Sequence, residues 1–196
     1  MTIKTVVAGP LGNNAYILMS GDSSAAAVID PGYGADKILR EVARLKANVT
    51  HILLTHPHFD HYGQIGAIKK ATGAAFCMHK DGVRLLPGSV PEPDILLSQG
   101  DTIEVGSLKM GAIYTPGHCE GSVCYTCGDV MFTGDTLFCG EIGRCDLKTG
   151  DLDKMMVSLR KLDGIEKNYR VLPGHGEETT LNREKESNRY FEMARL

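Results

Sequence analysis

The sequence has no tryptophan, and aromatic residues make up only 6% of it. This scarcity disfavours a stacking surface for single-stranded nucleic acid, which depends on aromatic side chains. No stretch of 18 apolar residues occurs, so no segment is predicted to cross a membrane. The first ten residues lack the basic and long apolar regions of a secretory signal. We therefore expect a soluble, cytoplasmic protein.

A strong charge of either sign is also lacking, because 21 Lys and Arg face 24 Asp and Glu. A net charge of -3 gives no general attraction to nucleic-acid phosphates or anionic lipid, so we expect neither nucleic acid nor a membrane surface as a partner. A chain of 196 residues, 42% of them hydrophobic, can bury one core, which predicts a single domain over residues 1–196. A chain of this size needs no disulfides, so the six cysteines are interpreted as reduced thiols.

Apolar runs of strand length alternate with turn residues and with helical patterns. The predicted strands are 6–8, 15–19, 25–29, 51–55, 74–78, 102–105, 108–114, 122–126, 130–132 and one that ends at Leu172. The predicted helices are 35–46, 63–72, 152–162 and a polar C-terminal helix from about Leu181. Residues 87–93 are rich in proline and are predicted to form a surface loop. This order predicts a mixed α/β protein with helices packed on sheets.

The densest group of reactive side chains is Thr55 to His61, which reads Thr-His-Pro-His-Phe-Asp-His. Three imidazoles and a carboxylate lie within six residues, directly after a predicted buried strand. Imidazole and carboxylate are ligands that Zn²⁺ and Fe²⁺ prefer. In an extended loop, alternate residues such as His56 and His58 can bind one ion, while Asp60 and His61 bind a second ion beside it. The pattern indicates two adjacent metal ions. The alternative is a cluster of surface histidines or one structural zinc.

Three later motifs add one potential ligand each, namely His118, Asp135 and His175. Each of them follows a predicted strand and lies beside a glycine, which allows close approach of the backbone. With the first cluster they supply five histidines and two aspartates, enough for two metals with open positions for water and substrate.

The order His-x-His-x-Asp-His, a later His, a Gly-Asp and a final Gly-His resembles the metallo-β-lactamase superfamily over nearly the whole chain. The resemblance implies an α/β fold, a four-layer αββα sandwich with metals at one edge of its two sheets. It implies these ligands: His56, His58 and His118 for the first ion, Asp60, His61 and His175 for the second, and Asp135 as a bridge. His51 and His79 match no motif position and are interpreted as strand-end residues. A bridging aspartate, where true β-lactamases have Cys or Ser, disfavours an antibiotic hydrolase.

Residues 134–138, 143–146 and 172–179 resemble the short glyoxalase II-like hydrolases. In glyoxalase II a basic residue after the bridging aspartate reaches toward glutathione, and Arg144 matches that position. The alternative for Arg144 is a surface ion pair with Glu141 or Asp146. The family's Gly-His-x-Tyr-Thr is here Gly-His-Gly-Glu-Glu-Thr, which lacks the tyrosine that helps to hold glutathione. Full-size glyoxalase II also has a helical C-terminal extension, whereas about 20 residues follow His175 here, so we expect one closing helix.

The implied activity is hydrolysis of a thioester such as S-lactoylglutathione. Two divalent ions about 3.5–4 Å apart lower the pKa of a shared water toward about 7, and the resulting hydroxide attacks the carbonyl. Zinc is the expected metal, with iron and manganese as alternatives. Asp60, which would orient the water, and Asp135 are the catalytic candidates. Asp30 is a candidate hydrogen-bond acceptor for a ligand imidazole, or alternatively part of an Asp-Pro-Gly turn.

The main alternative function is that of a persulfide dioxygenase, because those enzymes share the same motifs, including the Gly-Arg-x-Asp segment. They hold one Fe²⁺ through residues that match His56, His118 and Asp135. The Gly-Asp-Thr-Leu-Phe and Pro-Gly-His-Gly segments favour hydrolysis. A nuclease of the same fold is disfavoured by the excess of acidic over basic residues and by the lack of an inserted RNA-binding arm. A non-catalytic binding module is a further alternative, but it would require this complete ligand set to bind no metal.

Two cysteine motifs need a separate interpretation. Cys124-x-x-Cys127 lies in a predicted strand and hairpin without a second pair, which disfavours a metal or redox role. Cys119 follows His118 and is interpreted as a buried thiol, with an oxidation sensor as the alternative.

Overall fold

The computed structural model describes residues 1–196 and contains two sheets, six α-helices and one 3₁₀ helix at Lys80–Leu85. The strands are β1 (Thr2–Ala8), β2 (Asn13–Met19), β3 (Ala25–Ile29), β4 (Asn48–Leu53), β5 (Ala75–His79), β6 (Ile95–Leu97), β7 (Thr102–Val105), β8 (Leu108–Tyr114), β9 (Val123–Cys127), β10 (Val130–Gly134), β11 (Arg170–Pro173) and β12 (Thr179–Thr180). The helices are α1 (Ala35–Leu45), α2 (Phe59–Tyr62), α3 (Ile65–Thr72), α4 (Leu152–Asp163), α5 (Leu181–Ser187) and α6 (Arg189–Arg195).

Each half of the chain forms one six-stranded mixed sheet. The first has the order β1-β2-β3-β4-β5-β6, with antiparallel pairs up to β3 and parallel pairs from β3 onward. The second has the order β12-β11-β10-β9-β8-β7, and its one parallel pair is β10 with β11. Strands and helices alternate along the chain where the pairs are parallel, because parallel strands need a crossover connection.

Three hydrophobic clusters define four layers. The largest lies between the sheets and includes Tyr16 and Leu18 of β2 together with Tyr125 and Phe132 of the second sheet. Residues on the opposite face of β2, such as Ile17, pack with the residues that α1 and α3 bury. The third cluster joins the outer face of the second sheet to α4, α5 and α6. Side chains of a strand alternate between its faces, so both faces of each sheet are covered, and the αββα sandwich expected from the sequence is confirmed.

Several predicted boundaries are wrong in ways that local contacts explain. The strand predicted at 51–55 runs from Asn48 to Leu53, so His51 lies inside it and not at its end. The helix predicted from 181 onward breaks at Asn188, whose side chain accepts a hydrogen bond from the Tyr190 backbone N–H and caps α6. The helix predicted over 63–72 begins at Ile65 and follows α2, a one-turn helix within the segment expected to be an extended loop.

None of the helices has both the length and the apolar composition needed to span a bilayer.

Candidate metal centre

The candidate site lies where four strands end at one edge of the sandwich. His56, His58, Asp60 and His61 follow β4, while His118, Asp135 and His175 follow β8, β10 and β11. Backbone hydrogen bonds join the two sheets at this edge: Val123 N–H donates to the Thr55 carbonyl at 2.9 Å, and Asn14 N–H donates to the Gly174 carbonyl at 2.8 Å. The fold thus brings side chains from distant parts of the sequence to one place.

The donor atoms of His56, His58 and His118 form one group, within 4.8 Å of one another. The closest pair in it is His58 Nδ1 and His118 Nε2, 2.8 Å apart. His56 and His118 are buried, and His58 lines a cavity that opens to solvent. Three imidazoles that converge in this way match the ligand types preferred by Zn²⁺ and Fe²⁺.

The donor atoms of Asp60, His61 and His175 form a second group, also within 4.8 Å of one another. His175 Nε2 lies 3.3 Å from Asp60 Oδ2 and 3.4 Å from His61 Nε2. Asp135 lies between the groups: its Oδ2 is 3.6 Å from His118 Nε2, and its Oδ1 is 3.4 Å from His61 Nε2. All seven predicted ligands therefore come together. The donor atoms of Asp30, His56 and His61 form a third group of the same kind.

Two buried polar atoms in this cluster, His56 Nε2 and Asp135 Oδ1, have no hydrogen-bond partner. Leaving such atoms unpaired is costly unless another group satisfies them. Both are Lewis bases, and both face the other donors. The donor set therefore fits divalent cations, which would satisfy the unpaired atoms.

Hydrogen bonds on the outer ring nitrogens orient the imidazoles. His61 Nδ1 lies 3.0 Å from the Asp30 carboxylate, and His118 Nδ1 lies 2.7 Å from the Arg144 carbonyl. His175 Nδ1 is 3.1 Å from the Leu11 carbonyl. An N–H donated outward at Nδ1 leaves the Nε2 lone pair directed into the cluster, which is how histidine ligands are usually held.

Burial and neighbouring charge shift the pKa values of the cluster in opposite directions. Burial lowers the pKa of His118 to about 4 and lowers that of His56 well below its usual value. Burial also opposes the charged form of His61, but Asp135 and Asp30 outweigh it and raise the pKa to about 9. At Asp60, hydrogen bonding to His175 and the charge of His61 overcome burial and hold the pKa of the carboxyl well below its usual range. A cation that binds at His61 therefore competes with a proton.

The Asp30 carboxylate connects several parts of the site. Its Oδ1 accepts from Thr55 N–H at 2.7 Å, and its Oδ2 accepts from the Thr55 hydroxyl at 2.6 Å as well as facing His61. The Thr55 oxygen is also 3.1 Å from His56 Nδ1. Asp30 therefore contacts one candidate ligand directly and a second one through Thr55.

Two asparagines at the start of β2 also hold the site, although nothing in the sequence indicates them. Asn13 Nδ2 donates to Asp60 Oδ2 at 2.9 Å and to the Asp60 carbonyl at 2.8 Å. Asn14 Nδ2 donates to the carbonyls of Pro173 and Gly176, both at 3.0 Å, which flank His175. These partners lie 47 or more residues away in the sequence, so no local pattern indicates them.

Tight glycine contacts bring the backbone close to the donors. A Cβ atom at Gly174 would overlap Asp135 Oδ1 and lie 2.6 Å from His61 Cε1. A Cβ atom at Gly32 would overlap the Asp60 carbonyl. These positions accept only glycine because the site is packed against the main chain.

A cavity of about 600 Å³ opens above the donors. Its wall includes His58, Asp60, His118, Asp135 and His175, together with the apolar side chains of Leu11, Phe59, Phe138 and Leu147. Arg144 also lines it, but its guanidinium makes a two-point ion pair with Asp146, at 2.7 and 2.8 Å. The structure therefore shows the ion pair considered for Arg144, at the edge of the cavity.

The loop that carries Phe138 is anchored by a buried carboxylate in α5. Glu184 accepts hydrogen bonds from Gly140 N–H at 2.8 Å, Asn188 Nδ2 at 2.9 Å and the Thr179 hydroxyl at 2.6 Å. The C-terminal helices thus fix one wall of the cavity.

The six cysteines are free thiols in the structure. Cys124 packs toward the helices and Cys127 packs between the sheets, so the two side chains point to opposite faces of β9. They do not form a chelating pair. Cys119 is buried and accepts a hydrogen bond from the Thr149 hydroxyl.

Comparisons with known proteins identify the family of the chain. The family model for the metallo-β-lactamase superfamily matches residues 8–175. Hydroxyacylglutathione hydrolase GloC of Haemophilus influenzae is 31% identical over 192 residues, covering 89% of this chain and 91% of the relative. The crystal structure of BLEG-1 B3 metallo-β-lactamase has a TM-score of 0.88 at 31% identity, covering 95% of this chain and 98% of that chain. ETHE1 from Myxococcus xanthus has a TM-score of 0.86 at 28% identity, covering 96% and 83%.

Proposed function

The chain belongs to the metallo-β-lactamase superfamily, and on that premise we propose that it is a metal-dependent hydrolase of thioesters, with S-lactoylglutathione as the first substrate to test. The observation that carries this proposal is the pair of donor groups with Asp135 between them. The similarity to a hydroxyacylglutathione hydrolase over most of the chain supports the thioester class.

In this proposal His56, His58 and His118 would hold one divalent ion, Asp60, His61 and His175 would hold a second, and Asp135 would be shared between them. Zinc fits imidazole and carboxylate donors, and iron or manganese are the alternatives. When bound, such ions supply an acidified water and polarise a carbonyl oxygen. We further propose a cytoplasmic location, where the free thiols stay reduced.

The chain's own residues contribute position and charge. Asn13 holds Asp60 Oδ2, so the carboxylate keeps a fixed orientation at the cavity floor and can accept a hydrogen bond from the attacking water. The cavity wall contains no lysine, tyrosine or cysteine that could protonate a leaving group. A thioester suits such a wall, because a thiolate leaves without a general acid.

A second candidate is a persulfide dioxygenase with one iron. His56, His118 and Asp135 favour it, because Asp135 Oδ2 lies 4.0 Å from His56 Nε2 and 3.6 Å from His118 Nε2. Two histidines and a carboxylate in this arrangement are typical of mononuclear iron oxygenases.

The test is elemental analysis of the purified protein, combined with two assays on the same sample. One measures hydrolysis of S-lactoylglutathione, and the other measures oxygen uptake with glutathione persulfide. Two metal equivalents with thioester cleavage support the first candidate. One iron equivalent with oxygen uptake and no thioester cleavage overturns it in favour of the second.

Asp135→Ala is the decisive variant, since it removes the group shared by both donor sets. We expect loss of bound metal and of turnover. Asp36→Asn is the matched control, because Asp36 is exposed on α1 and pairs only with Arg40. Unchanged activity of Asp135→Ala would refute the bridging role.

A further inference from the structure

The entrance to the candidate site exposes large apolar side chains. Leu11, Phe59 and Leu147 are 57%, 59% and 38% exposed, and all three line the cavity above the donors together with Phe138. They come from four segments: the loop before β2, the start of α2, the loop after β10 and the loop before α4. Exposed apolar side chains in the wall of a cavity are typical of a binding site for an apolar group.

The same entrance offers almost no free positive charge. Arg144 is the only Lys or Arg in the cavity wall, and both of its contacts to Asp146 are of hydrogen-bond length. The other charged wall residues, apart from the histidines, are Asp60 and Asp135. Asp60 and Asp135 are candidate metal ligands. Outside the metal centre, a substrate with several carboxylates, such as a glutathione thioester, would therefore find one cation, which already has a carboxylate partner.

From this combination we propose that the preferred substrates are thioesters with an unbranched hydrocarbon acyl chain on an uncharged thiol, whose chain packs against Leu11, Phe59, Phe138 and Leu147. The proposal rests on the proposed thioesterase function and specifies its substrate class. Burial of each added methylene on such a wall raises affinity about fourfold.

The activity test is a series of acetyl, butyryl and hexanoyl thioesters of N-acetylcysteamine, compared with S-lactoylglutathione and S-hexanoylglutathione on the metal-loaded enzyme. We expect kcat/KM to rise about fourfold per methylene within the neutral series. We also expect the hexanoyl ester of the neutral thiol to be cleaved faster than that of glutathione. A flat or falling series, or faster turnover of the glutathione esters, overturns the proposal and leaves thioester hydrolysis intact.

Two variants locate the effect. Leu147→Ser should lower the ratio of hexanoyl to acetyl kcat/KM about tenfold, in line with loss of a buried leucine contact. Val157→Ser is the matched control, because Val157 is 53% exposed on α4 and does not line this cavity. Its ratio should equal that of the parent protein, and an equal loss in both variants overturns the assignment to this wall.

Binding without chemistry separates this inference from the proposed function. Calorimetry on the metal-loaded protein, which does not cleave thioethers, should show tighter binding of S-hexyl than of S-methyl N-acetylcysteamine, and Leu147→Ser should lower the ratio of the two affinities about tenfold. Chain-length-dependent binding without cleavage of any thioester would refute the thioesterase and retain the apolar site. Equal binding of the two thioethers would refute the apolar site.

Discussion

Replacement of Asp30 by asparagine tests how the fold orients the candidate ligands. Asp30 is 2% exposed, and its two oxygens face three groups: the N–H and hydroxyl of Thr55, and His61 Nδ1. Asparagine keeps the shape but replaces one oxygen with an NH₂ group. If NH₂ takes the Oδ1 position, it meets the Thr55 N–H, donor against donor. If it takes the Oδ2 position, His61 Nδ1 must become an acceptor, and Nε2 then carries the proton that blocks metal binding.

Each orientation has a predictable cost. An unsatisfied buried N–H costs about 1–3 kcal/mol of the free energy of unfolding. Loss of the carboxylate behind a histidine ligand typically weakens metal binding about 10–100-fold, which corresponds to about 1.4–2.7 kcal/mol. The metal-loaded Asp30→Asn protein should therefore be less stable than the parent protein by about 1–3 kcal/mol, whichever orientation the amide adopts.

The measurement is competition for zinc with a chromophoric chelator, together with urea unfolding with and without metal. Asp36→Asn, a substitution of the same type at an exposed aspartate, serves as the control. It should match the parent protein in zinc affinity and lose only a small part of the free energy of unfolding, because its ion pair with Arg40 is exposed to solvent. Zinc affinity within twofold of the parent, combined with an unchanged free energy of unfolding, would show that Asp30 does not orient His61.

Three further substitutions test other parts of the structure. Gly174→Ala places a methyl group against Asp135 and His61, so it should reduce the amount of bound zinc in elemental analysis. Gly88→Ala is the control, because Gly88 has open space around it, and it should leave the zinc content unchanged. Glu184→Gln sets an amide NH₂ against buried donors and should lower the free energy of unfolding in urea by about 1.5–3 kcal/mol; no change would mean that the anchor contributes nothing. Tyr125→Phe removes a hydroxyl that donates to the Leu54 carbonyl between the sheets, which should cost about 1 kcal/mol in the same assay and leave zinc content unaltered.

The repeating patterns of the sequence were sufficient to predict most of the fold. The apolar run in β2 and the helical spacing in α1 and α4 each extend over five or more residues, and these elements appear within two residues of where the sequence places them. The strands β6 and β12 have three and two residues, too few to produce a pattern. The helix α2 has four residues, and its ligand-rich sequence was interpreted as a loop.

The sequence also predicted which donors would come together, since each follows a strand and carries a metal-binding group. It could not predict what holds them. Asn13 and Asp60 meet across 47 residues, and Asn14 and Pro173 across 159. Asparagine at the start of a strand is common for reasons of turn geometry alone. Asp30 is an intermediate case, because its place at a strand end suggested a role that its turn sequence left open.

The distribution of donors over the two sheets has a consequence for stability under the proposed function. His56 and His58 follow a strand of the first sheet, whereas His118 follows a strand of the second; Asp60 and His61 are likewise completed by His175 from the second sheet. Each ion would therefore connect both halves of the chain at an edge held otherwise by a few hydrogen bonds. Because neither half alone contains a complete donor set, the free energy of metal binding adds to that of closing the sandwich. The metals would then stabilise the fold as well as supply the chemistry, and substitution of a ligand would weaken both roles together.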